Sequence, residues 1–159
     1  MLQEIMWVII WTLLPITELR ASIPLGILIY GLPIWVVVLT AIIANILIAI
    51  VVYFVLDWLI KFIQRFPRIH AFYLRTVERV QKKIDKAVDR WGWIALAIFI
   101  GIPLPGSGVY TGALAGKIIG VDFKRFMISA IIGVLIAAAV VTALTLTGQG
   151  VASIFIKHI

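Results

Sequence analysis

The sequence predicts an all-α integral membrane protein with two repeats of inverted topology, each consisting of a re-entrant helical hairpin and a full transmembrane helix. First, 64% of its 159 residues are hydrophobic and only 13% are charged, whereas soluble domains are about 45–50% apolar. Second, two short apolar segments are interrupted by prolines, and Pro15 and Pro103 lie 88 residues apart. Third, each interrupted segment is followed by a continuous apolar run that is long enough to cross a bilayer.

The first interrupted segment contains the sequence Pro15-Ile-Thr-Glu-Leu-Arg-Ala-Ser-Ile-Pro24. A proline inside a helix removes a hydrogen bond and clashes with the preceding turn, so we expect helix breaks at Pro15 and at Pro24. The apolar runs on either side are each shorter than the roughly 20 residues that span a bilayer. We therefore predict two half-helices that meet at a polar tip inside the membrane. Glu18 and Arg20 lie in this tip, and charged residues at such a depth mark a functional site by default.

The first full span is predicted from Ile34 to Leu56, after a turn at Gly31-Leu32-Pro33. Asn45 is the one strongly polar residue of this run. A lone amide in a transmembrane helix commonly forms an interhelical hydrogen bond, and a contact with a polar cavity is the alternative. Asp57 marks the point at which the chain leaves the hydrocarbon and is interpreted as an interfacial residue.

A basic connection, residues 61–90, follows this span and carries nine of the fourteen lysines and arginines. The positive-inside rule predicts that it is cytoplasmic. Apolar residues recur within it at spacings of three and four, which is typical of an amphipathic helix. Such a helix can lie on anionic lipid or pack its apolar stripe against its own protein, and both interpretations stay open. No nucleic-acid partner is expected, because membrane topology already explains the excess positive charge.

The second interrupted segment ends its first apolar run, 94–102, at a stretch of prolines and glycines. No continuous helix accommodates this stretch, so a second hairpin is predicted. The residues expected to break the helix are Pro103, Pro105, Gly106 and Gly108. The run 109–120 would form the returning half-helix, and 126–146 the second full span.

The second tip offers two interpretations. Gly106-Ser107-Gly108 precedes a helix start, where free N–H groups and the positive end of the helix dipole attract anions. The same glycines are typical of a tight turn. Tyr110 and Thr111 would either line a pathway or bond to the interrupted backbone. Gly112 and Gly116 have the spacing that allows two helices to pack closely.

The distribution of charge predicts how the two halves are oriented. Lys117, Lys124 and Arg125 would lie on the side opposite to the basic connection if both interrupted segments were full spans, and they lie on the same side as the connection if both are re-entrant hairpins. One hairpin then enters from outside and the other from the cytoplasm, an inverted arrangement common in secondary transporters. The chain is interpreted as one membrane domain, with repeat 1 at 1–60, the connection at 61–90, repeat 2 at 91–148 and a tail at 149–159.

Several classes of function are poorly supported by the sequence. There is no cysteine, and the two histidines, His70 and His158, lie far apart outside the apolar runs. Neither a metal-ligand spacing nor a nucleophile and base arrangement follows from these residues. We therefore expect no catalytic residues, no metal and no cofactor, and predict that the protein is not an enzyme.

The segments Pro15-Ile-Thr-Glu-Leu-Arg-Ala-Ser-Ile-Pro-Leu-Gly26 and Ile102-Pro-Leu-Pro-Gly-Ser-Gly-Val-Tyr-Thr-Gly-Ala-Leu-Ala-Gly116 resemble the signature segments of the putative small multidrug export protein family. That family resembles a distant relative of the DedA/VTT membrane proteins, whose members are thought to carry paired re-entrant hairpins. The resemblance implies a transporter or a lipid translocase; the cargo proposed for DedA-type relatives includes polyprenyl-phosphate carrier lipid, with proton coupling suggested. This chain departs from the DedA pattern, because its second tip carries no arginine.

The sequence therefore predicts a membrane transporter or lipid translocase whose site forms where the two tips meet near the bilayer midplane, with proton coupling through Glu18. The alternative is a small structural or assembly factor without cargo, in which Glu18 and Arg20 form a structural ion pair. The expected partners are membrane lipids, a small amphipathic or anionic lipid-like substrate and a second copy of the chain in a homodimer. The expected location is the plasma membrane, with several passes. The residues assigned to the pathway are Glu18, Arg20, Thr17, Asn45, Ser107, Tyr110 and Thr111.

Overall fold

A computed structural model describes residues 1–63, 65, 74, 75, 78, 86–104 and 107–156 of the chain. For residues 86–90 and 149–156 this description covers the backbone. Within these ranges the backbone is helical and contains no strand. The helices are α1 (Leu2–Leu13), α2 (Glu18–Pro24), a π-helix (Leu25–Ile29), α3 (Ile34–Ile63), α4 (Lys86–Gly101), α5 (Val109–Ile119) and α6 (Phe123–Ile156). Most of the basic connection, together with Pro105 and Gly106, lies outside the described residues.

The first hairpin consists of α1 and α2, which pack against each other. The helix ends at Leu13, and Leu14 adopts an extended conformation with φ −78° and ψ 132°. This is the conformation that a following proline imposes on its neighbour. Behind the turn, the buried hydroxyl groups of Thr12 and Ser22 lie 2.6 Å apart and join the two helices.

The predicted break at Pro24 is wrong. Pro24 is the last residue of α2, and the chain continues without interruption as the π-helix Leu25–Ile29. A proline lacks only its own donor, and the next amide, that of Leu25, still reaches the carbonyl oxygens of Ala21 and Ser22. The π-helix that follows changes the hydrogen-bond register, so the chain passes the proline without leaving the helix.

The two long helices extend beyond the predicted apolar runs. α3 continues through Asp57 and Lys61 to Ile63, and α6 begins at Phe123 and continues to Ile156 through most of the predicted tail. Charged residues end a hydrophobic run without ending a helix, and no proline occurs at either extension. α3 and the part of α6 up to Gly148 are long and apolar enough to cross a membrane, whereas α1, α5 and the apolar part of α4 are shorter.

The second hairpin consists of α4 and α5, and it packs closely because of glycine. A Cβ on Gly112 would lie 2.5 Å from Ile100 Cγ1, and a Cβ on Gly133 of α6 would lie 2.7 Å from Ile100 Cβ. The side chain of Ile100 therefore fills the space that both glycines leave open. The close helix packing expected of Gly112 thus occurs within the chain, between the two helices of one hairpin.

Each hairpin packs on the long helix of the other half, and we call this arrangement an exchange of helices. α2 of the first hairpin packs on α6, α5 of the second hairpin packs on α3, and α3 and α6 also pack on each other. The core at this junction contains Leu19, Ile23, Ile100, Phe126 and Val134, all at most 2% exposed. This arrangement brings the turn of the first hairpin against the turn of the second.

Candidate functional site where the two hairpin tips meet

Glu18 is the first residue of α2, and its carboxylate lies at the start of α5 in the other half of the chain. The backbone N–H of Val109 donates to Glu18 Oε2 over 3.4 Å, and the amide of Tyr110 also faces this carboxylate. Gly108 lies against it so closely that a Cβ there would collide with the carboxyl atoms. The N-terminus of α5, for which the sequence left anion binding and a tight turn as alternatives, is therefore occupied by an anionic side chain of the protein itself.

Arg20 makes the opposite kind of contact, in which a cation lies at the C-terminal end of a helix. Its Nη1 donates to Glu18 Oε2 at 3.1 Å, while Nη2 lies within hydrogen-bond distance of Ile102 O (3.0 Å) and Ile100 O (3.4 Å). Nη2 also lies 3.1 Å from Ser107 Oγ. A helix leaves its last carbonyl oxygens unpaired, so the guanidinium satisfies the C-terminal end of α4. The first hairpin thus caps two helix ends of the second hairpin. Glu18 caps the start of α5, and Arg20 caps the end of α4.

Asn45 is fully buried in α3 behind this pair. Its amide is close enough to Glu18 to interact with the carboxylate, yet neither Nδ2 nor Oδ1 makes a hydrogen bond of good geometry with the described residues. Nε of Arg20 is likewise buried and without such a partner. Buried polar atoms are costly when unpaired, so the tip junction holds more hydrogen-bonding capacity than its side chains use.

The remaining predicted pathway residues differ in where they lie. The hydroxyl of Tyr110 donates to Leu13 O over 2.5 Å and ties the second tip to the end of α1. Thr17 instead bonds to Trp11 O within its own hairpin (2.7 Å). Thr111 is exposed and bonds to Gly108 O in its own turn (3.2 Å). The structure therefore brings together Glu18, Arg20, Asn45, Ser107 and Tyr110, and leaves Thr17 and Thr111 outside this junction.

An open groove of about 460 Å³ leads to the junction. Arg20 contributes the one charged group among its lining residues, and the wall beyond it is almost entirely apolar. The lining comes from the first hairpin, the second tip and α6, and consists of Arg20, Pro24, Leu28, Pro103, Val141, Leu144, Thr145 and Gly148. A groove with a guanidinium at one end and an apolar wall suits an amphipathic molecule better than a fully polar one. No group of residues that would hold a metal ion occurs in the described part of the chain.

A second polar cluster was not predicted. Lys117 Nζ of α5 lies 2.5 Å from Asp57 Oδ1 and 3.3 Å from the centre of the Tyr53 ring, both on α3. The Tyr53 ring in turn stacks on Phe126 of α6 at a centroid distance of 5.0 Å. From the sequence, Asp57 was interpreted as interfacial and Lys117 entered only the argument on topology. The signal that could have found the cluster is the position of Lys117 inside an apolar half-helix, where a lysine needs a partner.

Comparison with known families gives a match over most of the chain. Residues 18–140 match the family described as putative small multi-drug export protein, a range that includes Glu18, Arg20, the second tip and the Lys117 cluster. Comparisons with curated proteins and with solved structures give no match.

Proposed function

Because the chain belongs to the family of putative small multi-drug export proteins, we propose that it is a multi-pass transporter of the plasma membrane and not an enzyme. The family description is consistent with transport in general, and the two long apolar helices suggest a membrane location. The finer parts of the proposal concern how the hairpins sit in the bilayer, which residues meet the cargo and what the cargo is.

We propose that both hairpins are re-entrant and that the halves have inverted topology. The shortness of α1, α5 and the apolar part of α4 supports this arrangement, because none of them reaches the length of a span. The exchange of helices, with α2 on α6 and α5 on α3, is what two related halves would produce. The charge distribution supports a cytoplasmic location for the basic connection 61–90.

The observation that carries the proposed site is the position of Arg20, which joins the two tips and also lines the open groove. An amphipathic cargo would place its apolar part against Leu28, Val141 and Leu144, and an anionic group at the guanidinium. An anionic lipid-like molecule fits this division, so lipid translocation is the specific form of transport that we propose, in line with the resemblance to DedA/VTT proteins.

Proton coupling would act through Glu18. While the carboxylate is ionised, it neutralises Arg20 and holds the start of α5. A proton on Glu18 would weaken both contacts at once, because a neutral carboxyl attracts neither the guanidinium nor the helix dipole. Arg20 would then carry an uncompensated positive charge toward the groove. Asn45 suits both states, since its amide can donate to a carboxylate and accept from a carboxylic acid.

A second candidate function is a structural or assembly role without cargo. The observation that favours it is that both Nη atoms of Arg20 and the carboxylate of Glu18 already have partners in the protein. In that case the pair serves only to fasten one hairpin to the other.

The test compares folded protein with flux in liposomes for the wild type, Glu18→Gln, Arg20→Lys and the double variant Glu18→Gln with Arg20→Gln. The probes are a fluorescent anionic phospholipid, a polyprenyl phosphate and a lipophilic cation, each with and without a pH gradient. Transport predicts that Glu18→Gln stays monodisperse in detergent but loses the response to the gradient. It also predicts that Arg20→Lys lowers the flux of the anionic probes, because lysine lacks the bidentate fork.

Thr111→Val provides a matched control, since Thr111 is exposed and lies outside the junction. Its flux should equal that of the wild type. Flux that follows the amount of folded protein across all variants, or no flux of any probe, would favour the structural role.

A further inference from the structure

The 88-residue offset between the halves places the open groove and the Lys117 cluster at equivalent positions. Val141 and Thr145, which line the groove on α6, correspond to Tyr53 and Asp57 on α3. Leu28, which lines the groove from the first hairpin, corresponds to Gly116, the neighbour of Lys117 in α5. The helices agree with this correspondence, because α2 faces α6 across the groove and α5 faces α3 at the cluster.

The two equivalent positions differ in one respect: the first is open and the second is filled. At the groove, an open space of about 460 Å³ lies beside the contact between the first hairpin and α6. At the cluster, the Lys117 ammonium sits between the Asp57 carboxylate and the face of the Tyr53 ring. The Lys117 side chain is only 11% exposed, whereas that of Asp57 is 41% exposed, and Tyr53 is packed against Phe123 and Phe126. An ion pair together with a cation–π contact therefore joins α5 to α3.

We propose that Lys117, Asp57 and Tyr53 form a gate that closes the counterpart of the open groove on the cytoplasmic side. This inference rests on the proposed transport function and on the inverted topology. The structure is then the state in which the site communicates with the outer groove and is closed toward the cytoplasm. Separation of Lys117 from Asp57 would release α5 from α3 and open a second groove related to the first by the symmetry of the halves.

The same helix connects the gate to the tips. The N-terminus of α5 is held by Glu18, and its last turn carries Lys117. Eleven residues of helix span about 16 Å, so a rigid shift of α5 that opens the gate also displaces Val109 from the Glu18 carboxylate. Loss of the contact at one end of α5 therefore favours loss of the contact at the other end, which is how the gate and the tip junction would be coupled.

The test uses the absence of native cysteine. Leu144→Cys reports on the groove, and Leu56→Cys reports on the equivalent position beside the cluster. Each thiol is treated with a membrane-impermeant charged maleimide in right-side-out and in inside-out vesicles. With Lys117 intact, we expect labelling at position 144 from outside and little labelling at position 56 from inside.

Lys117→Met keeps an apolar stem but removes the charge. It should raise labelling at position 56 from the cytoplasmic side by about tenfold, within the range that one contact contributes to a two-state equilibrium, and lower labelling at position 144. Lys117→Arg retains the pair and should keep the parent pattern. Lys124→Met removes the same charge from an exposed residue on α6 and should also leave the pattern unchanged.

Asp57→Asn removes the other charge of the ion pair. It replaces Lys117→Met as the test of the gate if Lys117→Met fails to fold. Unchanged labelling in folded variants, or a rise at both positions together, would overturn the gate, and so would loss of folded protein in both variants. Opposite changes at the two positions without flux of any probe would retain the gate and reject the proposed transport. Flux without opposite changes would reject the gate alone.

Discussion

At the scale of single residues, Glu18 combines backbone strain with a functional position. Its φ of +45° is positive, which is unusual for a residue other than glycine. Such a conformation costs about 1–2 kcal/mol and persists only where the surroundings enforce it. Here the contacts with Arg20 and with the start of α5 enforce it, so the strain of one residue is offset by interactions with the other half of the chain.

The comparison of Glu18→Gly with Glu18→Ala tests this account. Both variants leave Arg20 without its carboxylate, and both should be less stable than the wild type by about 3 kcal/mol. Glycine adopts positive φ without cost, so Glu18→Gly should be the more stable of the two by about 1 kcal/mol. Thermal unfolding in detergent measures the difference. Equal stability of the two variants would show that the backbone of position 18 is not held in this conformation.

At the scale of the elements, the sequence predicted the places where a helix must end better than the places where it continues. Pro103 and Pro15 follow helices that end close before them, because a proline restricts its preceding neighbour. The predicted break at Pro24 is wrong because a π-helix follows the proline directly and continues the helix. Whether a helix breaks or continues at a proline depends on tertiary packing, which one sequence does not reveal. The pair of Lys117 and Asp57 was missed for a similar reason, because their contact joins residues 60 apart.

The packing of α5 on α4 gives a prediction at this scale. Gly112→Ala should destabilise the protein by about 1–3 kcal/mol, because the added Cβ would meet the Ile100 side chain at 2.5 Å. Combining it with Ile100→Ala removes the clashing atoms, so the double variant should be less destabilised than the sum of the two single variants. Chemical or thermal unfolding of all three proteins measures this coupling. Strict additivity would mean that the two helices do not pack through these residues.

At the scale of the whole molecule, the arrangement of the tips was within reach of sequence reasoning, but the identity of the partners was not. Proline positions and the 88-residue offset indicated that two polar tips would meet. They could not indicate that Glu18 would occupy the N-terminus of α5, for which anion binding and a tight turn were both open interpretations. Glu18 reaches the start of α5 only because each hairpin packs on the long helix of the other half. That packing is a property of the tertiary fold.

The inverted topology proposed above leads to a prediction about sidedness. Single cysteines at Gly31→Cys and Lys124→Cys should react with an impermeant maleimide from opposite sides of the membrane. The cysteine-free parent chain gives the background. Reaction of both positions from the same side would contradict the re-entrant hairpins and favour four ordinary spans.

The contacts by which Glu18 and Arg20 of the first hairpin cap the helices of the second hairpin also bear on the order of synthesis. Arg20 leaves the ribosome 82 residues before Ile102, one of the carbonyl groups that it binds. At a synthesis rate of about 5–20 residues per second, that interval lasts about 4–16 s. During this time Arg20 lacks Ile102 O and Ser107 Oγ, and Glu18 lacks the amide of Val109. The first hairpin therefore cannot make its final contacts until the second hairpin has been synthesised, and a chain that stops before Ile102 keeps a carboxylate and a guanidinium without the partners that satisfy them in the folded protein.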